Sequence, residues 1–181
     1  DKIGRDMLSR IIYGARVSII VALLSIASGA LVGTTLGLIA GYFGGRWDNL
    51  IMRLVDIKLS LPSILLALVL VAIIGASFAT IIIVIALLLW SRYARLVRGE
   101  ALRLRSQDFI ARAKVAGAST PRILVRHMFP NVVNTIIVLA TLEVGQVILL
   151  EATLSFLGAG TPPEIPSWGN VVAEGRSMFL V

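Results

Sequence analysis

The chain has no cysteine and one histidine, His127. Disulfide scaffolds and thiolate metal sites are excluded, and a zinc site would need an unusual number of carboxylates around that one imidazole. Charge is scarce too: 15% of the 181 residues are charged and 57% are apolar, with a mean hydropathy of +0.93. A water-soluble domain of this size has no use for so much apolar surface, so the composition is that of a chain dissolved in lipid. Acidic residues are the scarcer sign, 10 against 17 Lys and Arg, for a net charge of +7. A pI near 10.8 would suit a nucleic-acid binder, but such proteins carry their charge on a polar surface that is missing here, so no nucleic acid is expected as a partner. Gly-x-x-x-x-Gly-Lys-Ser/Thr occurs nowhere, so no phosphate cradle is expected. The nucleophile–base pair or metal constellation of a membrane enzyme is not visible either. The chain opens on Asp1 and closes on Met178-Phe179-Leu180-Val181 without a signal peptide, and reads as a piece of a longer protein.

A spanning helix needs about 20 mostly apolar residues. Four stretches approach this: Val17 to Phe43; Leu50 to Gly75, read as a helix kinked at Pro62 with its first turns at the headgroups; Phe78 to Trp90, continuing past Tyr93 and Leu96; and Val132 to Leu157. Gly75-Ala76-Ser77 forms the turn between the second and third. Arg92, Arg95, Arg98, Arg103, Arg105, Arg112, Lys114, Arg122 and Arg126 crowd one connection, which the positive-inside rule places in the cytoplasm. The Arg46–Lys58 connection then lies inside as well, and residues 1–16 and the loop after Leu157 lie outside. Met7, Leu8, Ile11 and Ile12 make residues 1–16 an amphipathic segment suited to the outer interface, its basic residues snorkelling.

In the first span Ser25, Gly29, Gly33, Gly37 and Gly41 put a small residue at every fourth position, a face that lets another backbone come close. Either a subunit interface or packing within the chain would use it. Glu143 and Glu151 interrupt the fourth span, where a charge at the bilayer centre costs roughly 2.5–3.5 kcal/mol on the insertion scale. About 80° apart around the helix, they can share a broad face with Gln146 and Thr153. That face either lines a translocation path or holds carboxyls that are protonated or bonded to neighbouring helices. Arg53 and Asp56, three apart, can pair near the inner boundary. Trp168, in the stiff loop after Pro162, Pro163 and Pro166, reads as an interface anchor or part of a docking surface.

In the basic loop, Phe109 to Ala116 reads as a helix stopped by Gly117, and Thr120 can cap a second helix that starts at Pro121 and ends at Pro130. His127 reads there as a capping or contact residue. Anionic lipid or an acidic partner surface would suit such a loop.

Gly117-Ala118-Ser119 followed by Arg126-His127-Met128-Phe129-Pro130-Asn131 resembles the cytoplasmic signature loop of ABC importer permeases. Further blocks are similar to the C-type permease subunit of oligopeptide, dipeptide and nickel importers: Gly4-Arg5-Asp6-Met7-Leu8-Ser9-Arg10 with Tyr13-Gly14-Ala15-Arg16; Gly41-Tyr42-Phe43-Gly44-Gly45; Met52-Arg53-Leu54-Val55-Asp56; Leu150-Glu151-Ala152 with Leu154-Ser155-Phe156-Leu157-Gly158; and Pro166-Ser167-Trp168-Gly169-Asn170. The family loop opens with Glu-Ala-Ala where this chain has Ala111-Arg112-Ala113, so its acidic residue is absent here.

The resemblance implies an all-α polytopic bundle of the type I importer fold, truncated over residues 17–181, with a span before Gly4 and another after Val181 and with residues 92–130 as the coupling loop. It implies a bacterial inner-membrane location, a second homologous permease subunit, two ATPase subunits that bind the ATP and Mg, and an extracytoplasmic solute-binding protein. It further implies that residues 108–120 meet the ATPase, Phe109, Ala113 and Gly117 supplying close packing and Arg112 and Lys114 the charge. Peptides are the expected cargo and a nickel chelate the alternative. The competing class is an ATP-independent secondary transporter using Glu143 and Glu151.

Overall fold

A computed structural model describes residues 6–162 and 165–179, the side chains of 176–179 excepted. The start of the Gly4-Arg5 block, Pro163, Glu164, the side chain of Arg176 and the last two residues lie outside the described residues.

Every element among the described residues is helical: α1 (Met7–Phe43), α2 (Gly45–Ser60), α3 (Ser63–Ile74), α4 (Phe78–Arg105), α5 (Asp108–Val115), α6 (Thr120–Arg122), a π-helical turn (Ile123–Met128), α7 (Phe129–Phe156) and α8 (Trp168–Phe179). Three helical runs are long and apolar enough to cross a membrane, Met7–Phe43, Phe78–Arg105 and Thr120–Phe156; α2 and α3 make a fourth if the pair counts as one broken span.

Four boundaries differ from the sequence reading, each for a local reason. Residues 7–16 are the first turns of α1, which runs on into the span unbroken because neither proline nor a left-handed glycine interrupts it. Leu50 to Gly75 is two helices, because Pro62 disfavours helical backbone at Leu61, which is extended (φ −89°, ψ 134°). At the second loop helix the cap position is Ser119, whose side chain makes no capping bond, and Thr120 is already helical. Pro130 does not stop that helix. Its ring would crowd the carbonyl four residues back, and the preceding turn is opened to π geometry, in which the Phe129 N–H donates to the Leu124 carbonyl.

The chain divides into two compact units. The first comprises 1–27, 62–88 and 142–181, the second 28–61 and 89–141. In the first, buried apolar residues come from α1 (Val21, Ala22, Ile26), α3 (Ala67, Val71), α4 (Ile81, Val84, Ile85, Leu88) and α7 (Val147, Leu154). The Ser77 side chain caps α4 by accepting from the Thr80 N–H at 3.0 Å.

In the second unit the small-residue face of α1 lies on α4. A Cβ added to Gly33 would stand 2.3 Å from the Trp90 carbonyl oxygen, one on Gly37 2.7 Å from that of Ala94, and one on Gly41 2.5 Å from the Ala101 Cβ. Gly29 is buried as well. The contact is made inside this chain, by backbones too close for any side chain to intervene.

Candidate functional site

The basic loop is built on the second unit. Leu38 of α1, Val97, Ala101 and Leu104 of α4, Ile110 of α5, Ile123 and Met128 of the π turn and Val132 of α7 form one buried apolar cluster, with Tyr42, Ala113 and Ala118 packed on its edge. An eight-residue helix is marginal alone in water. Ile110, fully buried, contributes about 1.5–3 kcal/mol toward holding α5 in place. Ile110 was missing from the expected set, although it is the apolar residue that α5 turns inward; the run Phe109-Ile110 offers no periodicity by which to choose between the two.

Of the residues expected there, Ala113 is half-buried against the cluster, whereas Phe109, Arg112, Lys114 and Gly117 are exposed. The ammonium of Lys114 sits 5.2 Å from the centre of the Tyr42 ring, a cation–π contact that fixes the side chain's direction. Asp108 opens α5, and Arg112 and Lys114 close it, each sign complementing the helix dipole.

The helix stops at Gly117, whose φ of +75° is a left-handed conformation that L side chains rarely adopt. The Gly117 N–H donates to Lys114 O and the Ala118 N–H to Ala113 O, both at 3.0 Å, the paired bonds of a Schellman turn. Nothing stands within 4 Å of the position its Cβ would take, so glycine is required here by backbone conformation and not by crowding. His127 is half-buried in the π turn, and its carbonyl accepts from the Asn131 side-chain amide at 2.7 Å.

Ion pairs secure α2 to α4. The Arg98 guanidinium binds Asp48 through both carboxylate oxygens, with Nη2 2.7 Å from Oδ2, and Arg95 binds Asp56. Asp56 therefore reaches α4 and does not make the expected pair with Arg53, which is exposed.

The first unit contains a different construction. Glu151 is fully buried. One of its oxygens accepts hydroxyl bonds from Ser155 at 3.0 Å and Ser167 at 2.8 Å, and the other from Ser18 at 3.3 Å. Ser18 in turn accepts the Trp168 N–H at 3.2 Å, and Ser167 the Asn170 N–H at 3.2 Å. The Asn170 amide donates to the carbonyls of Thr161, Pro162 and Ile165. The Trp168 indole N–H donates to Ile11 O at 2.9 Å, and Arg10 holds Glu174 in a two-point pair, Nη2 standing 2.7 Å from Oε1.

One carboxylate thus ties α1, α7, the loop after α7 and the start of α8 together. Close approach completes the fit: a Cβ on Gly14 would lie 3.2 Å from the Ser167 carbonyl carbon, and one on Gly169 2.6 Å from the Ser155 Cβ. Trp168 is an anchor, but to α1 of its own chain.

Glu143 is buried like Glu151, while Gln146 is exposed. The hydroxyls bonded to Glu151 all come from its own chain. Among the described residues no group of three or more His, Cys, Asp or Glu side chains is placed to hold a metal.

A helical membrane chain with a rigid basic projection seated on its own core is thereby defined. Residues 33–181 match the family described as binding-protein-dependent transport system inner membrane component. The chain belongs to that family of ABC importer permeases and is an inner-membrane protein. It is 41% identical over all 181 residues to the glutathione transport system permease protein GsiD of Pectobacterium atrosepticum, of which it covers 60%. It is 43% identical over the same length to GsiD of Escherichia coli O6:K15:H31, again covering 60%. Over 180 residues it is 46% identical to the dipeptide transport system permease protein DppC of Alkalihalophilus pseudofirmus, of which it covers 59%. The chain therefore spans about three fifths of the length of the curated relatives it matches.

Proposed function

We propose that this chain is the core of a permease subunit in an ATP-driven importer of short peptides, and that α5 with its Gly117 stop is the surface on which separate ATPase subunits act. The carrying observation is the seat of α5. Ile110 belongs to the same buried cluster as residues of α1, α4, the π turn and α7, so a push on α5 reaches all of them at once. A helix on a flexible tether would absorb such a push.

The remaining parts of the machine are a second homologous permease subunit, two ATPase subunits that bind ATP and Mg, and an extracytoplasmic binding protein that delivers the substrate. Peptide-like cargo is favoured because relatives named for glutathione and for dipeptide transport both match nearly the whole chain; a nickel chelate is the alternative cargo. The bonds that surround Glu151 argue against its use as a proton or cation site in an ATP-independent transporter.

The test is peptide uptake by vesicles holding the permease pair with or without the ATPase subunits, binding protein and peptide outside and ATP inside. Uptake should require the ATPase. Uptake that persists without it, driven by a proton gradient, would contradict the reading.

A further inference from the structure

The helix α2 carries three faces, each about 60–80° wide at 100° per residue. Ile51, Val55 and Lys58 are buried. Arg46, Asn49, Arg53, Asp56 and Ser60 form an exposed polar stripe. Between them runs an apolar stripe that nothing among the described residues covers: Trp47, Leu50, Leu54 and Ile57 are 58%, 57%, 51% and 61% exposed. Phe43, at the end of α1, is also exposed, so the apolar surface continues past Gly44.

Two occupants suit an apolar stripe on a membrane protein, lipid chains or a helix of another subunit. The charges decide between them. Arg46, Asp48, Arg53, Asp56 and Lys58 fall within sixteen residues, and each charge carried to the bilayer centre would cost roughly 2.5–3.5 kcal/mol. The polar stripe borders the apolar one along the whole helix, so a protein helix covering the apolar stripe would crowd the charged one. A helix with adjacent apolar and charged faces and low net hydrophobicity suits the plane of the interface. Asp48 and Asp56 are drawn onto Arg98 and Arg95 of α4, and the basic Arg46 and Arg53 are exposed on the polar stripe, the sign that anionic headgroups attract.

We propose that α2 is an in-plane helix of the leaflet on the basic-loop side, its Trp47–Ile57 stripe in the acyl boundary and Arg46 and Arg53 among anionic headgroups. Arg95 and Arg98 of α4 hold α2 at that level.

Residues 1–181 contain no cysteine, so with any cysteine outside them replaced by serine, single cysteines can be placed at 47, 50, 54 and 57 and at 46, 49 and 53, all exposed positions. Spin-labelled in the full-length permease, in vesicles containing phosphatidylglycerol, they report contact with oxygen, which partitions into lipid, and with a water-soluble nickel chelate. Oxygen contact should peak at the first four positions and nickel contact at the second three. The depths at 47 and 57 should agree within about 5 Å, as an in-plane helix requires. Depth that climbs steadily by about 1.5 Å per residue would show a transbilayer helix and overturn the proposal. Labels at 50 and 54 shielded from both reagents would show a protein partner on the stripe and overturn it as well. The outcome does not depend on whether the chain carries peptides.

Discussion

The two units of this chain share apolar burial and differ in what is added to it. In the second, α1 and α4 meet backbone to backbone at Gly33, Gly37 and Gly41, an apolar cluster seats α5, and the ion pairs retain exposure. In the first, a buried carboxylate gathers hydroxyls from three places in the chain. Apolar burial tolerates small shifts because it is non-directional. A hydrogen-bonded knot does not, since a lost partner leaves buried polar groups unsatisfied. The difference suits a molecule that transmits motion at one set of contacts and keeps a fixed loop arrangement at another.

The strongest way to break the comparison is to crowd the α1–α4 contact. Gly33→Leu should abolish accumulation of folded protein, because its Cβ would meet backbone that cannot turn aside, and overpacking costs about 1–3 kcal/mol or more. Gly99→Ala is the control, with nothing within 4 Å of the added carbon. Membrane yield and thermal unfolding in detergent read both.

Next comes the knot. Glu151→Ala should destabilise by about 3 kcal/mol by stranding buried hydroxyls, whereas Glu151→Gln keeps an acceptor and should cost less. Melting temperatures check the order, and uptake by Glu151→Gln sharpens it. Stability unchanged in both variants with uptake lost would make Glu151 a transport site and not a tie.

The ion pairs rank third. Asp48→Asn should cost about 1–2 kcal/mol, since the bond to Arg98 is two-point and partly shielded, while Asp56→Asn should stay within about 0.5 kcal/mol, its pair with Arg95 being exposed on both sides. Double-mutant cycles on the two pairs give the difference.

Smallest is the cap of α1. Asp6 accepts the Ser9 N–H at 2.8 Å, and hydrogen bonding from the Ser9 side chain and backbone holds its carboxyl below the ordinary value of 3.8. A lowered folded-state value means that the contribution is present above the ordinary carboxylate range and lost as pH falls through the lowered one. Amide protection in the first turn of α1, taken relative to the intrinsic exchange rate at each pH, should therefore fall below about pH 4, with protection in the rest of α1 unchanged.

What was readable in the sequence follows the same division. The glycine face of α1 repeats every fourth residue, and the loop helix with its Gly117 stop occupies contiguous positions, so local rules suffice for both. Periodicity also finds the long helices. The knot was not legible: Ser18 and Glu151 are 133 residues apart, Arg10 and Glu174 are 164 apart, and isolated serines carry no pattern. Glu151 stood out as a carboxylate in an apolar span, but its partners decide its role, and only the fold supplies them. Pro130 misled for a related reason, since a π turn can carry a helix through a proline at no cost that the sequence displays.

The central claim is that α5, stopped at Gly117, passes force into the helices it is seated on. It is tested most directly by Gly117→Val in the reconstituted importer, with ATP hydrolysis and peptide uptake measured on the same vesicles. The substitution forces a branched side chain into a left-handed conformation without meeting any neighbour. The complex should still assemble and hydrolyse ATP while uptake falls, so that more ATP is spent per peptide. An unchanged ratio of uptake to hydrolysis would contradict it.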